Sequence, residues 1–444
     1  MSRSFRWLVA AAVMVVFHPL LAAPGQVQFS DTKLANGLRV IISEDHNAPV
    51  FSLTVTYNVG SRDERPGRTG FAHLFEHMMF KGSEQVGPGE HFTLIFDNGG
   101  DMNGTTNVER TLYYETLPAN QLDLALFLEA DRMWSLDITK ENLDNQRNAV
   151  QEERRLGVDN QPYGKTFEAV DRLAYRNPAY KHSVIGSMED LNAASVDDVK
   201  GFFRTYYAPN NAVLAVVGDV KTADCLAKIR KYFDRIPSQP APPKVDETEP
   251  PQTQEQRLTV DDALARLPRI DIVYHTPPAL APDDDGLTVL AGVLSSGRSS
   301  RFYESIVRQQ QLSANVSASS TGNRGPGLFR VAATVLSGKS VEDLEKAIYA
   351  EIEKVKNGPI ADWEIEKTRN NYRRTMVNNT ATSLSRAVSL SRYALFWNDP
   401  NLINTYADRI GAVKAAEVQR VAKKYLVPEN RTVVITMPKA ASHD

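Results

Sequence analysis

Two histidines and a glutamate within five residues have the clearest capacity for chemistry in this chain. His73, Glu76 and His77 lie in the run GRTGFAHLFEHMMFKG, from Gly67 to Gly82. On a helix, side chains four residues apart stand one above the other, so both imidazoles would share a face with Glu76 beside them. A catalytic zinc site typically has three protein ligands and one position for water, and a nearby carboxylate can deprotonate that water. The pattern therefore predicts a metal site with its own general base.

The residues around the motif predict the helix that must position it. Thr69 and Gly70 suit a helix start, and Gly82 suits its end. Between them, apolar side chains recur at helical spacing: Phe71, Leu74, Phe75, Met78 and Met79. The alternative is two unrelated histidines that happen to lie four residues apart. We favour the metal site because the chain has 8 histidines among 444 residues, so a chance match is rare.

The whole run resembles the zinc helix of the pitrilysin, insulin-degrading enzyme and mitochondrial processing peptidase family, which carries the H-x-x-E-H motif. The resemblance implies a zinc endopeptidase that binds one Zn²⁺ per chain through His73 and His77, with Glu76 as the catalytic base. It also implies a third ligand, a glutamate on a second helix. At the corresponding distance, Glu153 follows His77 by 76 residues.

Glu152 is the competing third ligand, because a shift of one residue in the alignment exchanges it with Glu153. Neighbouring side chains on a helix point about 100° apart, so one of the two can face the metal. Glu153 is favoured because Val150 lies three residues before it, on the same buried side. Without the resemblance, the charged run from Glu152 to Arg155 would be interpreted as a solvated helix face.

Composition limits the classes of protein to which the chain can belong. A length of 444 residues with 42% hydrophobic and 24% charged residues predicts a globular protein of about two to four domains. The net charge of -3 gives no indication of nucleic-acid binding. Cys225 is the single cysteine, which excludes an internal disulfide and favours a buried apolar role for the thiol.

The first 23 residues have the layout of a secretory signal peptide. Arg3 and Arg6 precede an apolar run from Trp7 to Phe17, and cleavage is expected after Ala22 or Ala23. That run is shorter than the roughly 20 residues that span a bilayer, so no permanent membrane anchor is expected. The mature chain is expected to be periplasmic or secreted.

The remaining chain divides into two similar halves. We predict a zinc-binding peptidase domain over 24–238, a proline-rich linker over 239–254 and a homologous domain without metal over 255–444. The segment from Gly70 to Gly82 is matched by Gly286 to Gly297, where the ligand positions are apolar or glycine. The predicted fold class is α+β, with two duplicated domains that each carry a mainly antiparallel sheet with helices on one face. Two unrelated α+β domains are the alternative.

A glycine-rich turn and a strand lie between the two predicted ligand helices. The stretch from Gly99 to Pro118 continues from paired glycines into alternating Thr, Val, Leu and Tyr. It is similar to the family's edge strand, which binds an extended peptide by adding it to the sheet. The resemblance implies that Asn103, Gly104 and Thr105 bind substrate. Without the resemblance, an ordinary hairpin with Asn-Gly in its turn has equal weight.

One family feature is missing from the second half. Many members carry an arginine and a tyrosine seven residues apart that reach the substrate, but here Arg308 is followed at that spacing by Asn315. Since the reaction needs donors for developing negative charge, another chain is expected to supply them.

The number of domains also predicts a partner. Family members enclose peptides between four such domains, so we expect a dimer. A heterodimer with a paralogous chain is favoured over a homodimer. The alternative function is a non-catalytic scaffold or processing-complex subunit of the same fold.

Overall fold

A computed structural model describes residues 25–439; the signal peptide predicted over residues 1–23 lies outside them. Eleven strands and fourteen α-helices are present within that range. The strands are β1 (Ser30–Lys33), β2 (Arg39–Glu44), β3 (Val50–Tyr57), β4 (Asp101–Thr106), β5 (Thr111–Pro118), β6 (Ala212–Gly218), β7 (Gln256–Asp262), β8 (Arg269–Thr276), β9 (Ser313–Thr321), β10 (Gly327–Val335) and β11 (Arg431–Pro438).

The helices fall into two groups, eight before strand β7 and six after strand β8. They are α1 (Phe71–Met78), α2 (Glu90–Asp97), α3 (Leu122–Ser135), α4 (Lys140–Arg154), α5 (Gly164–Ala174), α6 (Met188–Ala193), α7 (Val196–Tyr206), α8 (Thr222–Phe233), α9 (Asp284–Ser295), α10 (Val341–Asn357), α11 (Asp362–Asn378), α12 (Ser383–Trp397), α13 (Leu402–Ala412) and α14 (Ala415–Tyr425).

Each half of the chain forms one sheet, and the two sheets have the same strand topology. The first sheet has the order β1-β2-β6-β3-β5-β4 and the second has the order β7-β11-β8-β10-β9. Apart from the additional strand β1, each sheet has one parallel pair at the same place, β2 with β6 and β7 with β11, and antiparallel pairs elsewhere. The prediction of two duplicated α+β units with mainly antiparallel sheets is confirmed.

A pair of equivalent asparagines shows the duplication in side-chain detail. Asn211 donates to the carbonyl oxygens of Tyr206 and Asn58, in the loop that leads into β6. Asn430 donates to the carbonyl oxygens of Tyr425 and His275, in the loop that leads into β11. The same bond pattern at the same place in both halves favours a duplication over two unrelated domains.

The two halves also exchange helices, which the sequence did not predict. Most helices of each half cover one face of its own sheet. On the other face of the first sheet, Ile41 and Val213 pack against Leu390 of α12, a helix of the second half. On the other face of the second sheet, Val273 and Val434 pack against Val170 of α5, a helix of the first half. Each sheet is therefore covered on both faces, and each half completes the core of the other.

The segment between α8 and β7 has neither helix nor strand, yet it is fixed to the first half. Glu249 accepts hydrogen bonds from the backbone N–H groups of Arg176 and Asn177. Glu247 accepts a hydrogen bond from Arg62 at 2.5 Å.

Cys225 is fully buried in the core of the first half, as expected. Among the helices of residues 25–439, none is both long and apolar enough to cross a bilayer.

Candidate metal centre and active site

Helix α1 carries the histidines, and its first turn is held by a buried carboxylate. Glu64 accepts hydrogen bonds from the N–H groups of Gly70 and Ala72, at 2.8 and 2.7 Å, which satisfies donors that a helix start leaves free. Gly70 precedes the helix with φ of 86°, and a Cβ there would lie 2.6 Å from the Ile185 carbonyl oxygen. Only glycine fits this position without moving the chain. Phe71, Leu74 and the other apolar side chains of α1 are buried, as the sequence pattern predicted.

The structure brings His73, His77 and Glu153 together. One ligand atom from each of the three residues lies within 4.8 Å of the others. Glu153 Oε1 is 3.6 Å from His73 Nε2, and Glu153 Oε2 is 3.3 Å from His77 Nε2. The two imidazole rings are 4.8 Å apart and nearly perpendicular. Helices α1 and α4 pack side by side, and this packing places a carboxylate from 76 residues further along the chain beside the histidines.

The charge states of these groups fit a divalent metal ion. Burial lowers the pKa of His73 to about 4, so its imidazole is neutral at pH 7. The hydrogen bond with His77 is the main reason that the pKa of Glu153 is lowered, so this carboxylate is ionised. Neutral imidazole and ionised carboxylate are the forms that coordinate metals. Two nitrogen ligands and one oxygen ligand form a typical catalytic zinc set.

Glu152, the competing ligand, lies away from this centre. Its carboxylate accepts a hydrogen bond from Arg155 at 2.9 Å, and both side chains are about half exposed. Glu152 and Arg155 therefore form the kind of solvated charged pair that is expected of a run of charged residues on an exposed helix face. Of the two adjacent glutamates, Glu153 is therefore the one whose position allows coordination.

Glu76 lies beside the histidines and is held by strand β4. Thr106 donates its hydroxyl proton to Glu76 Oε2 at 2.6 Å. Burial raises the pKa of Glu76, while the hydrogen bond from Thr106 acts in the opposite direction. Gly104 gives the carboxylate its space, because a Cβ there would lie 2.9 Å from Glu76 Cγ. The arrangement leaves a partly buried carboxylate next to the candidate metal ligands.

Strand β4 forms the edge of the first sheet, next to helix α1. Its residues Asn103, Gly104 and Thr105 pair with Tyr114, Tyr113 and Leu112 of β5. The Asn103 side chain accepts a hydrogen bond from the Gly104 N–H at 2.8 Å. An edge strand beside the metal centre is the position at which an added peptide strand could bind.

Thr106 and Arg110 are site residues that the sequence reasoning missed. Arg110 donates to the carbonyl oxygen of Thr105 at 2.7 Å and contributes positive charge near Glu76. Thr106 could have been found, because alternate residues of a strand share a face and Gly104 was already a candidate. Arg110 could not, since it lies in a turn whose path depends on the whole hairpin.

Comparisons with known proteins identify the family to which the chain belongs. Two matching sheet-and-helix units, with an H-x-x-E-H helix in the first, define an M16-like peptidase fold. The model described as "Insulinase (Peptidase family M16)" matches residues 39–187, and the model described as "Peptidase M16 inactive domain" matches residues 193–372. The chain belongs to peptidase family M16.

Individual relatives cover almost the full length of the chain. Zinc protease PqqE of Helicobacter pylori is 29% identical over 91% of this chain and 92% of its own. A probable mitochondrial-processing peptidase subunit beta of Arabidopsis thaliana is 25% identical over 92% of this chain and 79% of its own. The crystal structure of a protease from Helicobacter pylori superposes with a TM-score of 0.88 at 28% identity, covering 93% of this chain and all of that one.

Proposed function

We propose that this protein is a zinc-dependent endopeptidase that hydrolyses peptides or unfolded segments. The observation that carries the proposal is the convergence of His73, His77 and Glu153 beside Glu76. These three residues would bind one Zn²⁺ per chain. When bound, zinc would activate water and polarise the peptide carbonyl.

The chain's own residues would carry the proton transfers. Glu76 would take a proton from the attacking water and later return it to the leaving amine. Thr106 keeps one oxygen of that carboxylate occupied, which leaves the other free to face the water. Edge strand β4 would hold the peptide through main-chain hydrogen bonds at Asn103, Gly104 and Thr105, and such binding depends little on the peptide's sequence.

Replacing the base tests this assignment. Glu76→Gln should retain zinc and lose peptide hydrolysis by about 10²–10⁴-fold, because the amide cannot accept the proton. Zinc content by mass spectrometry and cleavage of a fluorogenic peptide are the two measurements, made in the assembly in which the wild type is active. Glu152→Gln is the matched control, since this carboxylate pairs with Arg155 and should be dispensable. Full activity of Glu76→Gln would refute the assigned base.

Removal of the metal gives an independent test. A chelator should abolish hydrolysis by the wild type, and added Zn²⁺ should restore it. Hydrolysis that persists in protein shown to contain no metal would contradict the proposal.

A second chain is proposed to complete the active site. Arg308 is exposed and pairs with Glu304 on its own helical turn, and Asn315 stands where the family's tyrosine would be. Donors for the developing negative charge would then come from a partner, and a paralogous chain is favoured over a second copy. The name of the Arabidopsis relative as a subunit supports a multi-chain arrangement. Cleavage by the purified chain alone would argue against the heterodimer.

A non-catalytic scaffold is the second candidate function. The family model over residues 193–372 is described as an inactive domain, and the arginine and tyrosine pair is missing. Intact ligand positions and Glu76 in the first half favour catalysis. Inactivity of the chain both alone and mixed with its paralogue, with zinc loaded, would support the scaffold.

The domain limits and the location are part of the same proposal. The peptidase domain would occupy 24–238, the linker 239–254 and the domain without metal 255–444. A leader over residues 1–23 would direct the chain to the periplasm or out of the cell. The mass of the mature protein purified from its natural host tests this, since cleavage after Ala22 or Ala23 sets the new N-terminus.

A further inference from the structure

A second cluster of charged side chains lies in the interior of the first half, apart from the candidate metal centre. It consists of His91 on α2, Glu115 on β5, and Glu129 and Arg132 on α3. All four side chains are at least 95% buried. Nothing in the proposed proteolytic mechanism uses them.

The carboxylate of Glu115 lies among buried apolar and aromatic side chains of the first sheet. Alternate residues of β5 face the core, and the two neighbours of Glu115 in that row are Tyr113 and Leu117. On the adjacent strands it is opposite Leu53 and Met102, which are also buried. An isolated ionised carboxylate in such a place costs several kilocalories per mole unless a positive partner compensates it.

The cluster has polar atoms that converge without partners. His91 Nε2, both oxygens of Glu115 and Arg132 Nη1 are buried and lack hydrogen bonds to any other group of residues 25–439. His91 Nε2 lies 3.7 Å from Glu115 Oε2, which is too long for a direct hydrogen bond. His91 Nε2, the two oxygens of Glu115 and Arg132 Nη1 are therefore all buried in this cluster with no hydrogen bond from the described residues to satisfy them.

The cluster holds two carboxylates and one guanidinium, so the carboxylate of Glu115 has no cation of its own. Arg132 holds Glu129 through both carboxylate oxygens: its Nε donates to Oε2 at 3.0 Å and its Nη2 donates to Oε1. The guanidinium also stacks on the rings of Phe80 and Tyr113, at 5.0 and 4.4 Å, and these rings stabilise its positive charge. Glu115 has no comparable partner. One proton could satisfy one of the converging lone pairs, whereas a metal ion could accept several at once.

We propose that His91, Glu115 and Glu129 bind a second divalent metal ion of the Zn²⁺ class. One ligand atom from each lies within 4.8 Å of the others. Imidazole nitrogen with carboxylate oxygen is a donor set suited to Zn²⁺ and neighbouring transition metals. Arg132 would orient the Glu129 ligand, as hydrogen-bond partners of ligating carboxylates do in known metal sites.

The position of this site gives it a structural role. An ion there would join α2, β5 and α3, three elements from separate parts of the first half. Strand β4, the proposed substrate edge, follows α2 directly in the chain and pairs with β5. The ion would thus hold β5 and the neighbouring helices in the positions that support β4. The site is buried, so substrate could not reach the ion.

Metal counting tests the proposal separately from the catalytic site. The double variant His73→Ala/His77→Ala removes the proposed catalytic ligands. After equilibration with Zn²⁺ and gel filtration, we expect two zinc ions per chain in the wild type, one in the double variant and none when Glu115→Gln is added. One ion in the wild type and none in the double variant would overturn the second site, and would leave the catalytic site intact.

Thermal stability and Co²⁺ spectra give further readouts that require no activity. In the double variant, added Zn²⁺ should raise the Tm, because a ligand that binds the folded state stabilises it. Co²⁺ should give visible absorption bands in the double variant, with the cluster unaltered. If Glu115 is instead a protonated acid without metal, Glu115→Gln should leave Tm and metal content unchanged or raise the Tm. That result would refute the site, and Glu152→Gln serves as the exposed control.

Discussion

Removal of one hydroxyl group should shift the pH dependence of catalysis. Thr106 donates to Glu76 Oε2 at 2.6 Å, and this bond favours the ionised carboxylate. Thr106→Val keeps the shape of the side chain and removes the donor. Burial already raises the pKa of Glu76, so loss of the bond should raise it further.

The size of the shift follows from the strength of the bond. A hydrogen bond to a charged group contributes about 1.5–3 kcal/mol, and one pKa unit corresponds to about 1.4 kcal/mol. Because Glu76 and Thr106 are both half-buried, we take the lower end of this range. The pKa of Glu76 should then rise by about one unit in the variant.

The acid side of the kcat/KM profile is the measurement. A general base acts in its ionised form, so activity falls as the pH drops through the pKa of Glu76. A higher pKa moves this fall to higher pH by about one unit, while activity well above it changes less. A fluorogenic peptide assayed from acid to alkaline pH would show the shift, with zinc content measured at each pH.

Thr106→Ser is the matched control, since it retains the hydroxyl group and should keep the wild-type profile. An identical acid limb for Thr106→Val and the wild type, at full zinc occupancy, would refute the role of Thr106. A uniform loss of activity at every pH would show that the residue acts on folding or substrate binding instead.

Three further variants test the site and the fold. Glu153→Gln should weaken zinc binding by more than about tenfold, because a ligand is lost, whereas Glu152→Gln should not; zinc titration against a competing chelator measures both. Leu390→Ala should lower the free energy of unfolding by about 2–5 kcal/mol, since this side chain is fully buried between the two halves. Val377→Ala is the control and should have little effect, because Val377 is 67% exposed. Denaturant titrations measure both variants. Gly70→Ala should cost about 1–3 kcal/mol and should lower the Tm, because the new Cβ meets the Ile185 carbonyl.

Much of the fold could be predicted because its signals are local. The apolar spacing around His73 predicts helix α1, and the glycines and alternating residues from Gly99 predict a turn that leads into a strand. The alternative hairpin with Asn-Gly in its turn is wrong, because Asn103 and Gly104 lie within strand β4 and pair with β5. The repeat of these units in the second half predicts the duplication. Each signal lies within a short window, where helix and strand periodicity decide which side chains are buried.

The exchange of α5 and α12 between the halves could not be predicted in this way. Leu390 of α12 belongs to a helix whose pattern shows only that one face is apolar. Whether that face covers its own sheet or the other depends on the path of the whole chain. The same limit applies to Arg110, whose position near Glu76 depends on how the hairpin lies against α1.

The sequence by itself determined that His73, Glu76 and His77 lie together, because four-residue spacing on a helix places them on neighbouring positions of one face. It favoured Glu153 over the adjacent Glu152 through the family spacing and through Val150, which marks the buried side of the helix. The packing of α4 against α1 places Glu153 beside the histidines, while Glu152 pairs with Arg155 at the end of its own helix. The tertiary structure alone gathered His91, Glu115 and Glu129, because contacts between distant elements arise only when the chain is folded.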